Sequence, residues 1–389
     1  MALTVGIIGL PQSGKTTLFN ALTRAGAPIS GYATSTVQAN RAMVEVPDER
    51  LARLAEIFHP RKVVPTTVEF VDVAGLGQAG EEAKKQGLSP EFLGHIRNAD
   101  ALAVVVRCFS NPAAPHPAGS INAERDLREL LAELTLTDLA TVEKRIETTG
   151  RKSKTGDKKV LEELDFLKRL RDHLSEGQPA STMEFSTPER GVLGELFLLT
   201  MKPRFYVVNV GEDVLGAAGA LIAEASASGD QQPAPEGELA CVAATLARAR
   251  REGAEIVAVS AKLEAELGEL APEEAAEYLA ALGLPALGAD RVIQTGYTAL
   301  SLISFLTAGE DEVRAWTVTR GSKAPTAAGK IHTDFERGFI RAEVVHYDDL
   351  MADNGSMKAA REHGHIRLEG KEYVVRDGDI IEFRFNVSK

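Results

Sequence analysis

Gly9-Leu10-Pro11-Gln12-Ser13-Gly14-Lys15-Thr16 sets two glycines, a lysine and a hydroxyl at the spacing GxxxxGK(S/T). That combination suits the holding of a polyphosphate. Glycines let successive main-chain N–H groups curl around phosphate oxygens, and the N-terminus of a following helix adds positive partial charge. Lys15 then reaches the β and γ phosphates and the Thr16 hydroxyl ligates Mg²⁺. Asp72-Val73-Ala74-Gly75 supplies a DxxG element, in which Asp72 holds the Mg²⁺ through water and the Gly75 amide senses the γ-phosphate. Between the two lies the polar run 31–40, where Thr36 is the candidate second Mg²⁺ ligand and Thr34 its local competitor.

Hydrolysis needs a group that orients water, and the position after DxxG is Leu76, whose alkyl side chain has no hydrogen bond to offer. Turnover is therefore expected to be slow, to use another group, or to need a partner. His116, in the loop "SNPAAPHPAG", is a polar group able to swing in, and equally an ordinary loop histidine. The base falls to Asn209-Val210-Gly211-Glu212. Guanine presents two donors that a carboxylate accepts, but Glu212 is one methylene longer than the aspartate usual in that slot and lacks a preceding lysine. Adenine presents an acceptor at N1, so it must be read by Asn209 and the main chain around Val210 with Glu212 tilted away. The "SAK" run at 260–262 keeps guanine open, and the residues place ATP ahead of GTP.

These residues need a scaffold. "LTVGIIGL", "TTVEFVDV", "ADALAVVVRCF", "RFYVVNV" and "AEIVAVSAK" read as buried strands separated by helical segments, the pattern of a mainly parallel sheet covered on both faces. The alternation breaks between 123 and 200. Leu127, Leu131 and Leu134, then Leu139, Val142 and Ile146, recur at helical spacing, and Val160, Leu164, Leu167 and Leu174 form a second stripe. The polar linker 148–159 makes this a helical hairpin with a basic tip, and Ser186-x-x-Glu189 reads as a capping box on the helix that returns the chain to the sheet. From 302 onward short β-like runs and Gly-rich turns form a separate module. The expected division is 1–122 and 201–301 for the two parts of the P-loop domain, 123–200 for the inserted hairpin and 302–389 for the C-terminal module.

The 389 residues leave room for two or three domains with a sizeable core. Charged residues make up 26%, mean hydropathy is −0.10, and there is neither an apolar run of membrane-spanning length nor a leader pattern. The expectation is a soluble, cytoplasmic protein without a membrane partner. A net charge of −12 argues against coating nucleic acid by bulk electrostatics and against a sequence-specific DNA partner, while leaving room for local basic patches. Cys108 and Cys241 are too few for a disulfide framework and lack metal-ligand spacing, which predicts two buried thiols.

Taken together, "GLPQSGKTTLFNALT", "FVDVAGL", "VVRCF" with the nearby His116, the Asn-x-x-Glu element, and above all "FLTAGEDEVRAWTV", "APTAAGKIHTDFERGFIRAEV" and "YVVRDGDIIEFRFNV" resemble the Obg-like ATPase (YchF) family over nearly the whole chain. The resemblance implies a P-loop domain interrupted by a coiled-coil hairpin and followed by a ubiquitin-like β-grasp (TGS) domain. It further implies slow, Mg²⁺-dependent hydrolysis of ATP in preference to GTP, and a ribosomal partner met through the hairpin and TGS surfaces. It puts His116 where the family's proposed catalytic histidine lies, and gives Gln12, Ser13, Gly14, Lys15, Thr16 and Thr17 to the phosphates, Thr16 and Thr36 to the Mg²⁺, and Asn209, Val210 and Glu212 to the base. An Obg-type GTP switch and an interaction protein with little turnover are the competing readings. The chain departs from the family at Gln12, usually Asn, at Ser35, often Cys, in the charged run 77–93, and in a longer segment after the base element.

Overall fold

The computed structural model describes residues 3–24, 40–72, 90–153, 157–227, 236–282, 284 and 286–386. The chain divides into two compact units, one of Met1–Met43 with Glu69–Thr295 and the other of Val44–Val68 with Gly296–Lys389. Along the chain come β1 (Thr4–Ile8), α1 (Lys15–Arg24), β2 (Asn40–Glu45), α2 (Glu49–Phe58), β3 (Lys62–Val64), β4 (Thr67–Asp72), α3 (Pro90–Asn98) and β5 (Ala101–Arg107). Three helices follow, α4 (Ala123–Lys152), α5 (Lys158–Ser175) and α6 (Thr187–Leu196). Then come β6 (Arg204–Asn209), α7 (Leu215–Ala227), α8 (Gly237–Glu252), β7 (Ile256–Val259), α9 (Ala261–Leu267), α10 (Pro272–Ala281) and α11 (Gly288–Ala299).

The first unit holds a six-stranded sheet in the order β2-β4-β1-β5-β6-β7. β1 and β5 are buried at every position, as strands covered on both faces must be. β1 runs parallel to β4 and β5, β5 to β6, and β6 to β7, with Ile7 opposite Asp72, Ile8 opposite Val104, Arg107 opposite Asn209 and Asn209 opposite Val259. Parallel register therefore collects the C-terminal ends of five strands along one edge of the sheet. β1 has β4 on one side and β5 on the other, the switch in strand order where such sheets open a crevice for ligands.

The interruption is the expected helical hairpin. Asn122 caps α4 by accepting the Arg125 N–H at 3.0 Å, and its thirty residues span about 45 Å. Its first half sends Leu127, Leu130, Leu131 and Leu134 into the same core as Val104 and Tyr206 of the sheet. Farther along, Val142 packs with Phe166, Leu167 and Leu170 of α5 and Leu193 and Leu196 of α6, so a third helix closes the hairpin. Ser186 donates its amide N–H to Glu189 at 2.7 Å, the box that starts α6. Arg145 on α4 spans the bundle, reaching Glu163 at 2.8 Å and Glu195 at 2.9 Å. Mid-helix, the buried Asp138 accepts the N–H groups of Leu199 and Thr200 and the Thr200 hydroxyl at 2.7–2.8 Å, pinning the returning chain.

The second unit adds β8 (Leu302–Ala308), β9 (Glu312–Thr319), α12 (Ala324–Ile331), α13 (Thr333–Arg337), β10 (Phe339–His346), α14 (Tyr347–Ala352), α15 (Met357–Glu362), β11 (Arg367–Glu369) and β12 (Asp379–Phe385). Its sheet runs β11-β10-β12-β8-β9-β3, with β8 and β12 side by side and parallel and their outer neighbours β9 and β10 antiparallel, the mixed arrangement of a β-grasp. Alternation along β8 points Phe305 to one face and Leu306 to the other. Ala324, Ala327 and Ala328 let α12 approach the first face closely. The second face is covered by Leu51 and Leu54 of α2, and β3 extends the sheet beside β9. Residues 44–68 thus belong to this unit, which the change of sequence texture at 302 does not reveal. Arg50 fastens them by an ion pair to Asp377 at 2.9 Å. Among the described residues, no helix is long and apolar enough to cross a membrane.

Candidate nucleotide site

The loop after β1 turns back on itself before α1. Gly14 sits at φ +91, and a Cβ there would collide with the Asn209 amide, so both conformation and crowding demand glycine. Gln12 takes the left-handed region at φ 60. The first helical bond joins the Leu18 N–H to the Gly14 carbonyl at 2.9 Å, which leaves the earlier amides without partners inside the helix. Lys15 Nζ curls back to donate to the Gly9 and Leu10 carbonyls, 2.9 Å each. Burial lowers its pKa to about 8, against the pull of the Asp72 carboxylate. Thr17 is exposed on the first turn of α1.

Thr16 donates its hydroxyl to Asp72 Oδ2 at 2.9 Å, joining the two phosphate-site motifs across 56 residues. Asp72 is 2% exposed, and burial raises its pKa despite Thr16 and Lys15. Among the described residues its other oxygen, Oδ1, and the buried Ser13 hydroxyl have no hydrogen-bond partner. A buried polar atom left so costs about 1–3 kcal/mol, and two beside one loop mark where a polar ligand is received. Carboxylate and hydroxyl oxygens are the hard donors that Mg²⁺ takes, so the residues fit a magnesium-bound polyphosphate. Gly75, Leu76, Thr34 and Thr36 lie outside the described residues.

The base element is arranged differently from its expected use. Asn209 donates from Nδ2 to the Ser13 carbonyl and accepts the Ala261 N–H at Oδ1, both at 3.0 Å, so its amide clamps the phosphate loop to the "SAK" turn. The Val210 side chain is in the core and its N–H goes to the Val259 carbonyl at 2.9 Å. Glu212 accepts the Tyr278 hydroxyl from α10 at 3.1 Å. Of the three, Glu212 alone presents an exposed polar side chain at the rim.

His116 is nearly enclosed, its side chain 7% exposed, and it lines a small cavity with Leu10, Pro11 and Ser13. Its Nε2 faces Asp126 Oδ2 at 3.0 Å and its Nδ1 accepts the Ala118 N–H at 3.1 Å. That network assigns the proton to Nε2. A histidine tied at both ring nitrogens reaches a nucleotide only by leaving Asp126.

Two participants escaped the sequence reading. Arg107, 4% exposed at the end of β5, lies over the Phe109 ring at 4.6 Å. It donates to the Ala114 carbonyl at 2.6 Å and, at 3.4 Å, to both Gln12 oxygens. A single arginine closing an unbroken apolar strand was the available signal. Glu238 accepts the N–H groups of Ser110 and Gly211, each at 2.9 Å, and so couples the His116 loop to the base loop. Nearby, Cys108 and Cys241 are bonded to each other as a disulfide, with Cα atoms 5.5 Å apart, which corrects the expectation of two buried thiols. Strand register brings the end of β5 beside α8, and two cysteines in a sequence cannot announce that.

A Walker-type loop after the first strand of a parallel sheet, an aspartate from the neighbouring strand on its threonine, and an asparagine clamp from β6 define a P-loop nucleoside triphosphatase of the GTPase-like class. A family model described as a 50S ribosome-binding GTPase matches residues 4–152, and a model for the C-terminal part of YchF GTPases, described as a protein of unknown function, matches residues 302–386. The ribosome-binding ATPase YchF of Bacillus subtilis (strain 168) is 45% identical over 387 residues, covering 100% of both chains. That of Escherichia coli O157:H7 is 41% identical over the same span, again 100% of each. The solved YchF GTPase of Schizosaccharomyces pombe is 33% identical, with a TM-score of 0.79 over 98% of this chain and 97% of the other. The chain belongs to the YchF family.

Proposed function

We propose that this protein is a slow, Mg²⁺-dependent ATPase of the cytoplasm that uses ATP in preference to GTP and serves as a regulatory switch on the ribosome. The name shared by its bacterial relatives, ribosome-binding ATPase, supports the partner and the reaction. One observation carries the choice of base. Guanine O6 calls for a donor, and the Ala261 N–H, the donor of the "SAK" turn, is already given to Asn209. Glu212, already accepting from Tyr278, is a poorer fork for the two guanine donors. Adenine is then read by main chain, with Glu212 tilted away. Thr16 and Asp72 hold the Mg²⁺, with Thr36 joining them. The ribosome is met through the C-terminal module of residues 302–389 and through the hairpin of 123–200, whose tip exposes Arg151, Lys158 and Lys159.

The deciding experiment is a calorimetric titration with ATP and with GTP, each with Mg²⁺, paired with ribosome co-sedimentation in each nucleotide. Tighter ATP and nucleotide-dependent sedimentation are expected. Tighter GTP would turn the reading into an Obg-type GTP switch, and sedimentation indifferent to nucleotide would remove the switch.

His116 supplies the water-orienting group that Leu76 cannot, once it leaves Asp126. His116→Ala is expected to slow single-turnover hydrolysis about 10²-fold while leaving ATP affinity within about twofold, the loss typical of a removed general acid or base. An unchanged rate returns His116 to a role in anchoring its loop.

A further inference from the structure

Far along the sequence from the nucleotide site, within the second unit, three side chains converge that neither the P-loop chemistry nor the β-grasp requires. Asp353 ends α14, and its side chain is only 3% exposed. His363 ends α15, Gly364 turns the chain at φ +77, and His365 follows with its N–H returned to the Ala360 carbonyl at 2.8 Å. The left-handed glycine brings the two imidazoles, two positions apart, onto the same carboxylate. His363 Nδ1 lies 2.5 Å from Asp353 Oδ1 and His365 Nδ1 lies 2.7 Å from Oδ2. One ligand atom from each residue falls within 4.8 Å of the others.

We propose that Asp353, His363 and His365 form a binding site for a divalent transition-metal ion of the Zn²⁺ class. The three groups are two imidazole nitrogens and one carboxylate, the donor set that selects zinc, cobalt or nickel over magnesium or calcium. A tetrahedral ion about 2.0–2.2 Å from each donor spaces its ligands by about 3.3–3.6 Å, so each imidazole nitrogen moves out by roughly 1 Å from the carboxylate oxygen it now touches. His363, 62% exposed, leaves the outer side open to a water as fourth ligand. Among the described residues the ion-pair partners of Asp353 are these two histidines alone. An ion held by all three fastens the end of α14 to the turn that precedes β11.

The test uses the full chain, stripped of metal by chelation and kept free of nucleotide, titrated with Zn²⁺ in a calorimeter, with Co²⁺ absorption as a second readout. One Zn²⁺ per chain is expected, with visible Co²⁺ bands of four-coordinate strength. In the His363→Ala/His365→Ala variant affinity should fall by roughly 100-fold or more, since loss of a mere supporting group already costs 10–100-fold. ATP affinity in Mg²⁺ and the melting temperature without zinc should stay as in the parent, which shows the variant folded. Acidification should weaken binding, with up to two protons competing per ion. Should the double variant fail to fold, His363→Ala alone, at the exposed position, carries the same comparison. Absence of stoichiometric Zn²⁺ binding to the parent chain overturns the proposal, as does equal binding by the variants.

Discussion

Lys15→Ala is expected to abolish measurable ATP binding at micromolar nucleotide and to leave the chain folded. In the proposed role the ammonium, which donates to the Gly9 and Leu10 carbonyls in this structure, turns to two phosphates, and a hydrogen bond to a charged group contributes about 1.5–3 kcal/mol. Two such bonds correspond to roughly 10²–10⁴-fold in affinity. The lysine is not a stabiliser of the fold in return. Burial lowers its pKa to about 8 from the ordinary 10.5, so the folded chain disfavours the charged form. That penalty is present in full below pH 8 and fades as pH rises to 10.5, where the unfolded chain loses its proton as well. The melting temperature of Lys15→Ala should therefore match or exceed that of the parent at pH 7, with the gap closing at higher pH. The same titration governs the ligand. A polyphosphate prefers the charged lysine, so the parent's ATP affinity should weaken as pH rises through 8, by up to tenfold per unit, with proton uptake on binding. Calorimetry in buffers of different ionisation enthalpy reads that proton directly, and unchanged hydrolysis by Lys15→Ala would sink the phosphate-site assignment.

Asp72→Asn carries the second large effect and separates activity from stability. The substitution keeps the shape of the side chain but removes the charge that the proposed function gives to holding Mg²⁺, and turnover should fall on the order of 10²-fold or more. Stability moves the other way with pH. Burial raises the carboxyl pKa in the folded protein, so the charged form is disfavoured there relative to the unfolded chain. The penalty is complete above the folded pKa and vanishes below the ordinary value of 3.8. Without nucleotide, the variant should gain on the parent as pH rises from 4 to 7. A stability difference flat across that range, or turnover within twofold of the parent, would remove Asp72 from the role described.

How much of this was legible depended on the length of chain each feature needs. The phosphate loop could be read because eight adjacent residues carry its chemistry, and the hairpin because apolar stripes repeat along thirty residues at a time. The Thr16–Asp72 contact was readable too, since two motifs announce it. Asn209 was visible as a residue but not as a clamp: its partners, Ser13 and Ala261, are set by the register of three parallel strands. The buried Arg107 at the end of β5 follows from the same cause, whereas the Asp126 partner of His116 depends on how the loop folds back onto the first turn of α4. Residues 44–68 were the largest omission. The segment "DERLARLAEIF" has the cap and amphipathic spacing of a helix, with Asp48 accepting the Arg50 N–H at 3.1 Å. Nothing local says that its apolar face waits for β8, β9 and β12, and a three-residue strand such as β3 has too little pattern to read.

The discontinuity of the second unit sets a clock on synthesis. Residue 296, where the remainder of that unit begins, is made 228 residues after residue 68. At roughly 5–20 residues per second, Leu51 and Leu54 of α2 wait more than about 10–45 s, since the strands that will cover them follow residue 296. During that interval the first unit can complete its own sheet while α2 stays exposed as an apolar helix, a target for holding chaperones and a hazard for misassembly. A chain halted or cut before residue 296 keeps the helix and never receives its cover.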